Sequence, residues 1–322
     1  MRAWRLHELG EPEDVLKLEE VPEPEAGPGE VLIDVAAAAL NFPDILLCRG
    51  QYQEKPALPF TPGVEVAGTV VGTGQRVLAA PSFRTGGLTE RTVASAANVY
   101  PVPDTMPMES AASLMITYQT GHVALHRRAN LQAGETLLVH AGAGGVGSAA
   151  IQLGLAAGAK VIATAGGPDK TEVCRKLGAH VVIDYKAEDF VDKVKEATDG
   201  RGADVIYDPV GGDTFDRSRK CIAFEGRILV IGFTSGRIPD APANHVLIKN
   251  YSVVGVHWGL YHRLMPELPG QIHEDLIRLY QEGKIDPLVS QVLPMEQAPQ
   301  ALTALGSRGT TGKIVVRTQP TQ

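Results

Sequence analysis

Gly142, Gly144 and Gly147, with Gly145 and Val146 between the last two, stand where the apolar run TLLVHA ends and VGSAAIQLGLAAG begins. A G-x-G-x-x-G at a strand-to-helix junction suits the diphosphate of a dinucleotide. Gly142 permits the tight turn, Gly144 lets the main chain approach the diphosphate, and Gly147 lets the helix pack close to the strand. The helix N-terminus then meets the phosphate charge. Such a turn can also serve packing alone. Its place at the first turn of a strand–helix series favours the cofactor.

A second signal is the missing carboxylate. NAD sites usually carry Asp or Glu at the end of the second strand, on the ribose 2′-hydroxyl. Here that strand ends Thr164-Ala165-Gly166-Gly167, and the next carboxylate, Asp169, fits the N-cap of the following helix. Lys170 follows it, and Tyr185 closes the third strand. A cation near the ribose, with no carboxylate to repel a 2′-phosphate, favours NADPH over NADH. The bland alternative makes Lys170 a solvated helix residue.

Other chemistries lose their support. His273-Glu274-Asp275-Leu276-Ile277 lacks the second histidine of a zinc-protease helix, and His122 and His126 have no third ligand nearby in sequence. Gly232-Phe233-Thr234-Ser235-Gly236 is misspaced for a nucleophile elbow, and no lysine completes a P-loop. No metal site is expected. The three cysteines, Cys48, Cys174 and Cys221, are scattered, which argues against a disulfide framework and for a reducing compartment. With 30 basic and 37 acidic residues the formal charge is −7, so a nucleic-acid partner is not expected. The N-terminus has no apolar signal core, and the chain is expected in the cytoplasm. The uncharged run between Glu135 and Lys160 is broken by glycines at 142, 144, 145 and 147. It reads as buried strand, loop and buried helix rather than a membrane span.

Elements must position these residues. Residues 1–120 read as short strands broken by Pro and Gly, including 31–40 with Asp34 on one side and the β-rich stretch 64–81. Residues 109–129 are apolar at helical spacing. From 134 to 256, Val/Ile-rich strands alternate with amphipathic helices, the last helix before the fifth strand spanning 213–224 and the last strand 251–256. That pattern is a doubly wound parallel α/β sheet of Rossmann type. A helix over 272–285 and a strand over 312–319 finish the chain, a tail too short for its own core. The α/β unit is therefore expected as an insertion: 122–257 for the nucleotide, 1–121 with 258–322 for catalysis.

The chain resembles the medium-chain dehydrogenase/reductase superfamily, and within it the zinc-independent, zeta-crystallin-like quinone oxidoreductases. The matching stretches are AALNFPDILLCRGQY (38–52), PFTPGVEVAGTV (59–70), AASLMITYQTGHVAL (111–125) and AGAGGVGSAAIQLG (141–154). KLGAHVVIDY (176–185), ADVIYDPVGGDTF (203–215) and SRGTTGKIVVR (307–317) also match. The resemblance implies a GroES-like β-rich catalytic domain around the Rossmann domain. Zinc-containing relatives carry a cysteine where this chain has Asn41 and a histidine where it has Val64. An amide and an isopropyl group cannot replace thiolate and imidazole on zinc.

By the same resemblance, Asn41, Asp44, Tyr52 and Thr117 line the nicotinamide end, with Asn41 bonding the nicotinamide ribose or the substrate oxygen and Tyr52 capping the pocket as a candidate donor. Gly166, Lys170 and Tyr185 match the handling of the 2′-phosphate. Asp208, Gly232, Phe233 and Val256 match positions along the cofactor, and Arg308 one near its phosphates. The implied activity is hydride transfer from NADPH to a quinone. Two alternatives stay open: reduction of α,β-unsaturated aldehydes, ketones or acyl thioesters, and a non-catalytic NADPH-binding protein. Pairing of 251–256 with its copy would cover an apolar edge strand, so a homodimer is expected.

Overall fold

The structure, a computed structural model, describes residues 1–318 and divides into two compact units. One holds residues 1–116, 269–273 and the chain from 287 on; the other holds 117–268 and 274–286. The first begins with β1 (Arg2–Leu6), β2 (Leu16–Glu20), β3 (Glu30–Ala39), β4 (Val66–Val70), β5 (Arg76–Ala79), β6 (Arg91–Ser95) and β7 (Val99–Pro101). The second supplies β8 (Thr136–Val139), β9 (Lys160–Ala165), β10 (Val181–Asp184), β11 (Ala203–Asp208), β12 (Ile222–Val230) and β13 (Ser252–Gly255). The chain then adds β14 (Val289–Pro294) and β15 (Lys313–Arg317) to the first unit.

In the first unit β1 and β2 pair by themselves, and the larger sheet runs β14-β15-β3-β4-β5-β7, with β6 also on β3. β3 is the hub. Its Ile33, Val35 and Ala37–Ala39 are buried, and Asp34 meets Arg91 Nε across the β3–β6 pair at 2.6 Å. Leu6, Ile33, Ile45, Phe60, Val66 and Val316 share the core. β15 lies antiparallel on β3, so the C-terminal strand completes a sheet begun near the N-terminus.

The second unit is a six-stranded parallel sheet in the order β10-β9-β8-β11-β12-β13. The order reverses between β8 and β11, and ligands of such sheets bind outside the strand ends at that reversal. Helices Gly145–Ala156, Pro168–Lys176, Phe190–Ala197 and Gly212–Ser218 follow successive strands. Every residue of β8 is buried, as expected for a strand covered on both faces.

Several local expectations are corrected. The helix expected over 213–224 stops at Ser218, because Ile222 and Ala223 are buried in β12, whose pairing shifts register near Glu225 at φ 57°. Asp169 is not an N-cap: Gly167 takes that position at φ 91° and Pro168 follows at the first helical position. The 109–129 stretch is a short helix, Met108–Ala111, followed by π-helical turns at Met115–Gln119 and Val123–Arg128 flanking Thr120–His122. The unit boundary falls after Ile116 rather than 121. The helix expected over 272–285 runs Leu268–Gln281 with Ile272, Leu276 and Leu279 buried. Residues 274–286 pack with the second unit. There Gln152 bonds both main-chain groups of Asp286, its Nε2 donating to the carbonyl and its Oε1 accepting from the N–H. The last strand ends at Arg317, and Gln319, expected within it, lies outside the described residues. Among the described residues no helix is long and apolar enough to cross a membrane.

Candidate functional site

The glycine turn of the second unit has a different job for each glycine. Ala141, not Gly142, takes the left-handed conformation, at φ 51°. Gly142 is required by packing: a Cβ there would lie 2.9 Å from Cys174 Sγ and 3.1 Å from Ala163 Cβ. A Cβ on Gly147 would sit 2.1 Å from the Ala141 carbonyl oxygen, so this glycine sets the close helix–turn approach. That carbonyl also accepts the Gly144 N–H at 2.9 Å, closing the turn. Gly144 differs from both, since a Cβ there would meet only the Ala141 oxygen, at 3.3 Å. Space is open in front of its main chain. Gly144 caps helix Gly145–Ala156, and Gly144, Gly145 and Val146 stay partly exposed while Gly147–Leu153 are buried. The first N–H groups of a helix have no intrahelical acceptor, so Gly145 and Val146 offer donors at its positive end.

The end of β9 forms a second feature. A Cβ on Gly166 would fall 2.6 Å from Tyr185 Oη and 3.2 Å from Lys186 Cε, so these two side chains lie over that glycine. Tyr185 is held there by its N–H, which donates to Ala165 O at 3.1 Å. Burial pushes the Lys170 ammonium below its ordinary value, and the charge of Lys186 pushes the same way. Two lysines therefore share this corner, and the sequence reading found only one. Asp184 is the carboxylate in the neighbourhood. Its Oδ1 accepts the N–H groups of Gly167 at 2.9 Å and Lys186 at 3.0 Å, which hold its carboxyl below the usual range. The Tyr185-Lys186 dipeptide after Asp184 was the available signal.

Asp208 faces inward. It is buried, and its Oδ1 accepts the N–H groups of Val210 and Gly211 at 2.8 and 3.0 Å. Burial raises its pKa. It braces the left-handed turn at Gly211 and Gly212, φ 68° and 52°. Phe233, after Gly232, is partly exposed and lies against this turn, 2.9 Å from where a Gly211 Cβ would be. Val256 donates its N–H to Val230 O at 3.1 Å, prolonging the β12–β13 pairing. Thr117 is buried within the first π-helical turn. In the same turn Gln119 is fully buried, and neither its Nε2 nor its Oε1 has a partner among the described residues. The sequence reading passed over Gln119. Single π turns recur at functional sites.

The first unit brings Asn41 and Asp44 together in a different kind of place. Asn41 Nδ2 donates to Ala39 O at 3.0 Å and to Glu65 Oε1 at 2.8 Å, while Oδ1 accepts from Lys313 Nζ at 2.6 Å. Lys313 Nζ also donates to Glu65 Oε1 at 2.7 Å and Leu40 O at 3.1 Å. Glu65 Oε2 accepts the Ile116 N–H at 2.9 Å. Both amide protons of Asn41 are thus engaged inside the protein. Asp44 is likewise internal. Its Oδ2 accepts the Asn41 N–H and its Oδ1 the Gly63 N–H, each at 2.9 Å, capping helix Phe42–Cys48. Burial pushes its carboxyl up to about 7.

Tyr52 is what remains accessible. Its ring packs on the first unit's core, it is half-buried, and its hydroxyl makes no hydrogen bond among the described residues. Burial first, then the charges of Glu54 and Asp44, raise its pKa, so it keeps its proton. Arg308 is exposed on the same unit at φ 60°.

Two family profiles match the chain. One, described as the alcohol dehydrogenase GroES-like domain, covers residues 27–104; the other, described as zinc-binding dehydrogenase, covers 145–274. The quinone oxidoreductase-like protein 2 homolog of Nematostella vectensis is 38% identical, the match covering 99% of this chain and 89% of that protein. The Escherichia coli quinone oxidoreductase complexed with NADPH is 30% identical, with a TM-score of 0.91 over 99% of this chain and 100% of that one. The CurK enoyl reductase is 29% identical, with a TM-score of 0.87 over 98% of each chain.

Proposed function

The chain belongs to the quinone oxidoreductase-like group of the medium-chain dehydrogenase/reductase superfamily, and from that premise we propose that it is an NADPH-dependent, metal-independent quinone reductase. The observation that carries the cofactor reading is the corner where Lys170 and Lys186 meet beside Gly166 and Tyr185, the nearby Asp184 carboxylate being tied to main-chain N–H groups. A 2′-phosphate fits two ammonium groups and a phenol. The diphosphate would lie on the Gly144–Val146 main chain, with Gly142 and Gly147 shaping the turn. Gly232, Phe233 and Val256 are proposed along the rest of the cofactor, and Arg308 near its phosphates. The unit of residues 117–268 and 274–286 would hold the nucleotide.

NADPH, when bound, supplies a hydride to an electron-poor acceptor. The chain's own task is to orient the reactants and stabilise the negative charge that develops on the acceptor oxygen. Tyr52 keeps its proton and its hydroxyl makes no hydrogen bond among the described residues, so it is the proposed donor. Zinc fits poorly. Asn41 and Val64 stand at the two expected ligand positions, and the amide is engaged by Glu65 and Lys313. Among the described residues no three His, Cys, Asp or Glu side chains form a metal site.

The test is NADPH oxidation with 1,4-benzoquinone, 9,10-phenanthrenequinone and crotonaldehyde. Turnover is expected with the quinones, and Tyr52→Phe should slow it by about 10²–10³-fold. An unchanged rate in that variant rejects Tyr52 as the donor. Preference for crotonaldehyde would favour enone reduction, a reading supported by the likeness to an enoyl reductase. Tight binding without turnover on any acceptor would favour a non-catalytic role.

We also propose a homodimer through the free edge of β13. Leu247 and Ile248, on the preceding helix Ala243–Lys249, are each 79% exposed, an unusual exposure for paired aliphatic side chains. Only monomer in sedimentation at micromolar concentration would overturn it. The three cysteines are free and buried, in keeping with a reducing compartment, and we place the protein in the cytoplasm.

A further inference from the structure

His140 sits between β8 and the glycine turn, fully buried, and the readings above leave it without a role. Its Nε2 is 2.8 Å from Ser218 Oγ and its Nδ1 is 2.9 Å from Thr164 Oγ1. Proton bookkeeping fixes the tautomer. Ser218 donates its single hydroxyl proton to Thr214 O at 2.7 Å. Its oxygen must then accept from His140, which places the imidazole proton on Nε2. Nδ1 is left as an acceptor and takes the Thr164 hydroxyl proton. Burial pushes the ring's pKa down to about 3, with the charge of Arg217 as a smaller cause, so the neutral form persists.

Thr164 does a second job. Its carbonyl oxygen accepts the Gly142 N–H at 2.9 Å. One residue of β9 therefore holds both neighbours of Ala141, His140 through its hydroxyl and Gly142 through its main chain. Ala141 needs such a clamp, because a side-chain-bearing residue avoids the left-handed region in which it sits at φ 51°. The main chain of His140 is pinned as well, its N–H donating to Tyr207 O of β11 at 3.1 Å. The Ala141 carbonyl then accepts the Gly144 N–H, and its oxygen is the atom against which Gly147 must have no side chain.

We infer that His140 is a positioning residue for the glycine turn, its neutral Nε2-protonated ring locking Ala141 in the conformation that aims the Gly144–Val146 main chain at the cofactor diphosphate. The inference rests on the reading of that turn as the NADPH site. Without the clamp the turn populates its binding form only part of the time, and apparent affinity falls by that fraction.

Fluorescence titration with NADPH tests it alongside ¹⁵N–¹H NMR of the ligand-free protein. His140→Leu should weaken NADPH binding about tenfold, the equivalent of ~1.4 kcal/mol, with quinone turnover at saturating NADPH changed less than about twofold. His140→Asn keeps an acceptor for Thr164 and should recover binding to within about threefold. Thr164→Val, nearly isosteric, should weaken binding even if the leucine variant does not fold. In the NMR spectrum His140 should carry its proton on Nε2 and not titrate between about pH 5 and 8. A proton on Nδ1, or wild-type affinity in folded His140→Leu or in Thr164→Val, overturns the inference while the NADPH reading stands. Failure of the wild-type protein to bind NADPH overturns both.

Discussion

The glycine turn of the second unit and the polar cluster of the first both sit next to residues expected to do chemistry, yet they handle hydrogen-bond capacity in opposite ways. Around Asn41 each side-chain donor finds an acceptor inside the protein, and the charges of Glu65 and Lys313 face each other with 1% and 4% of their side chains exposed. At Gly145 and Val146 the main chain is partly exposed and the first N–H groups of the helix have no intrahelical acceptor, while the Gly144 N–H closes the turn on Ala141 O. A closed network cannot offer a donor to a ligand without breaking one of its own bonds. An open helix end can do so at no internal cost. Residue type alone does not separate the two; a count of partners does.

The contrast is sharpest when each region loses a charge. Lys313→Met would leave the buried Glu65 carboxyl without its cationic partner and should destabilise the first unit by about 3–5 kcal/mol in urea unfolding. Adding Glu65→Gln should return part of that loss, because the stranded charge is then gone. A loss below about 1 kcal/mol in the single variant would mean the network is not closed. By contrast, Lys170→Ala with Lys186→Ala should leave stability nearly unchanged and act on the ligand. The preference for NADPH over NADH should fall by about 10–100-fold, matching one or two charged hydrogen bonds to phosphate. NADH affinity should hold steady. Equal losses for both nucleotides would remove these lysines from the 2′-phosphate.

The smallest effect concerns pH. The Asp44 carboxyl rises from its ordinary 3.8 to about 7, burial being the main cause, so the folded protein holds a proton there that the unfolded chain releases. Stability supplied by that proton is complete below about 4 and drains away as pH climbs toward 7. Chemical unfolding at pH 5 and 7 should show the loss, on the order of 1 kcal/mol per pH unit. Asp44→Asn should flatten the slope. A variant with the wild-type slope would show that another group is titrating.

Much of the second unit was legible because its strands are continuous apolar runs and its turns carry glycine, both local signals. The six strands and their helices fall close to where periodicity puts them. Local reading failed where partners are far apart. Lys313 is 272 residues from Asn41 and 248 from Glu65, so nothing near Asn41 announces that its amide is occupied. The two N–H groups that Asp208 accepts lie in a turn whose shape only the fold reveals. Lys186 was missed for a different reason: its significance comes from lying across Gly166 beside Lys170, a meeting made by the parallel pairing of β9 and β10.

The position of β15 has a consequence for the order of events during synthesis. The second unit is complete once Asp286 has left the ribosome, whereas β3 must wait for Lys313–Arg317 before its neighbour on that side exists. Until then the Glu65 carboxylate has no counter-ion from Lys313. The nascent chain therefore carries a half-built sheet through most of translation, and a premature stop just short of the last strand removes both the strand that joins β14 to β3 and the lysine that faces Glu65.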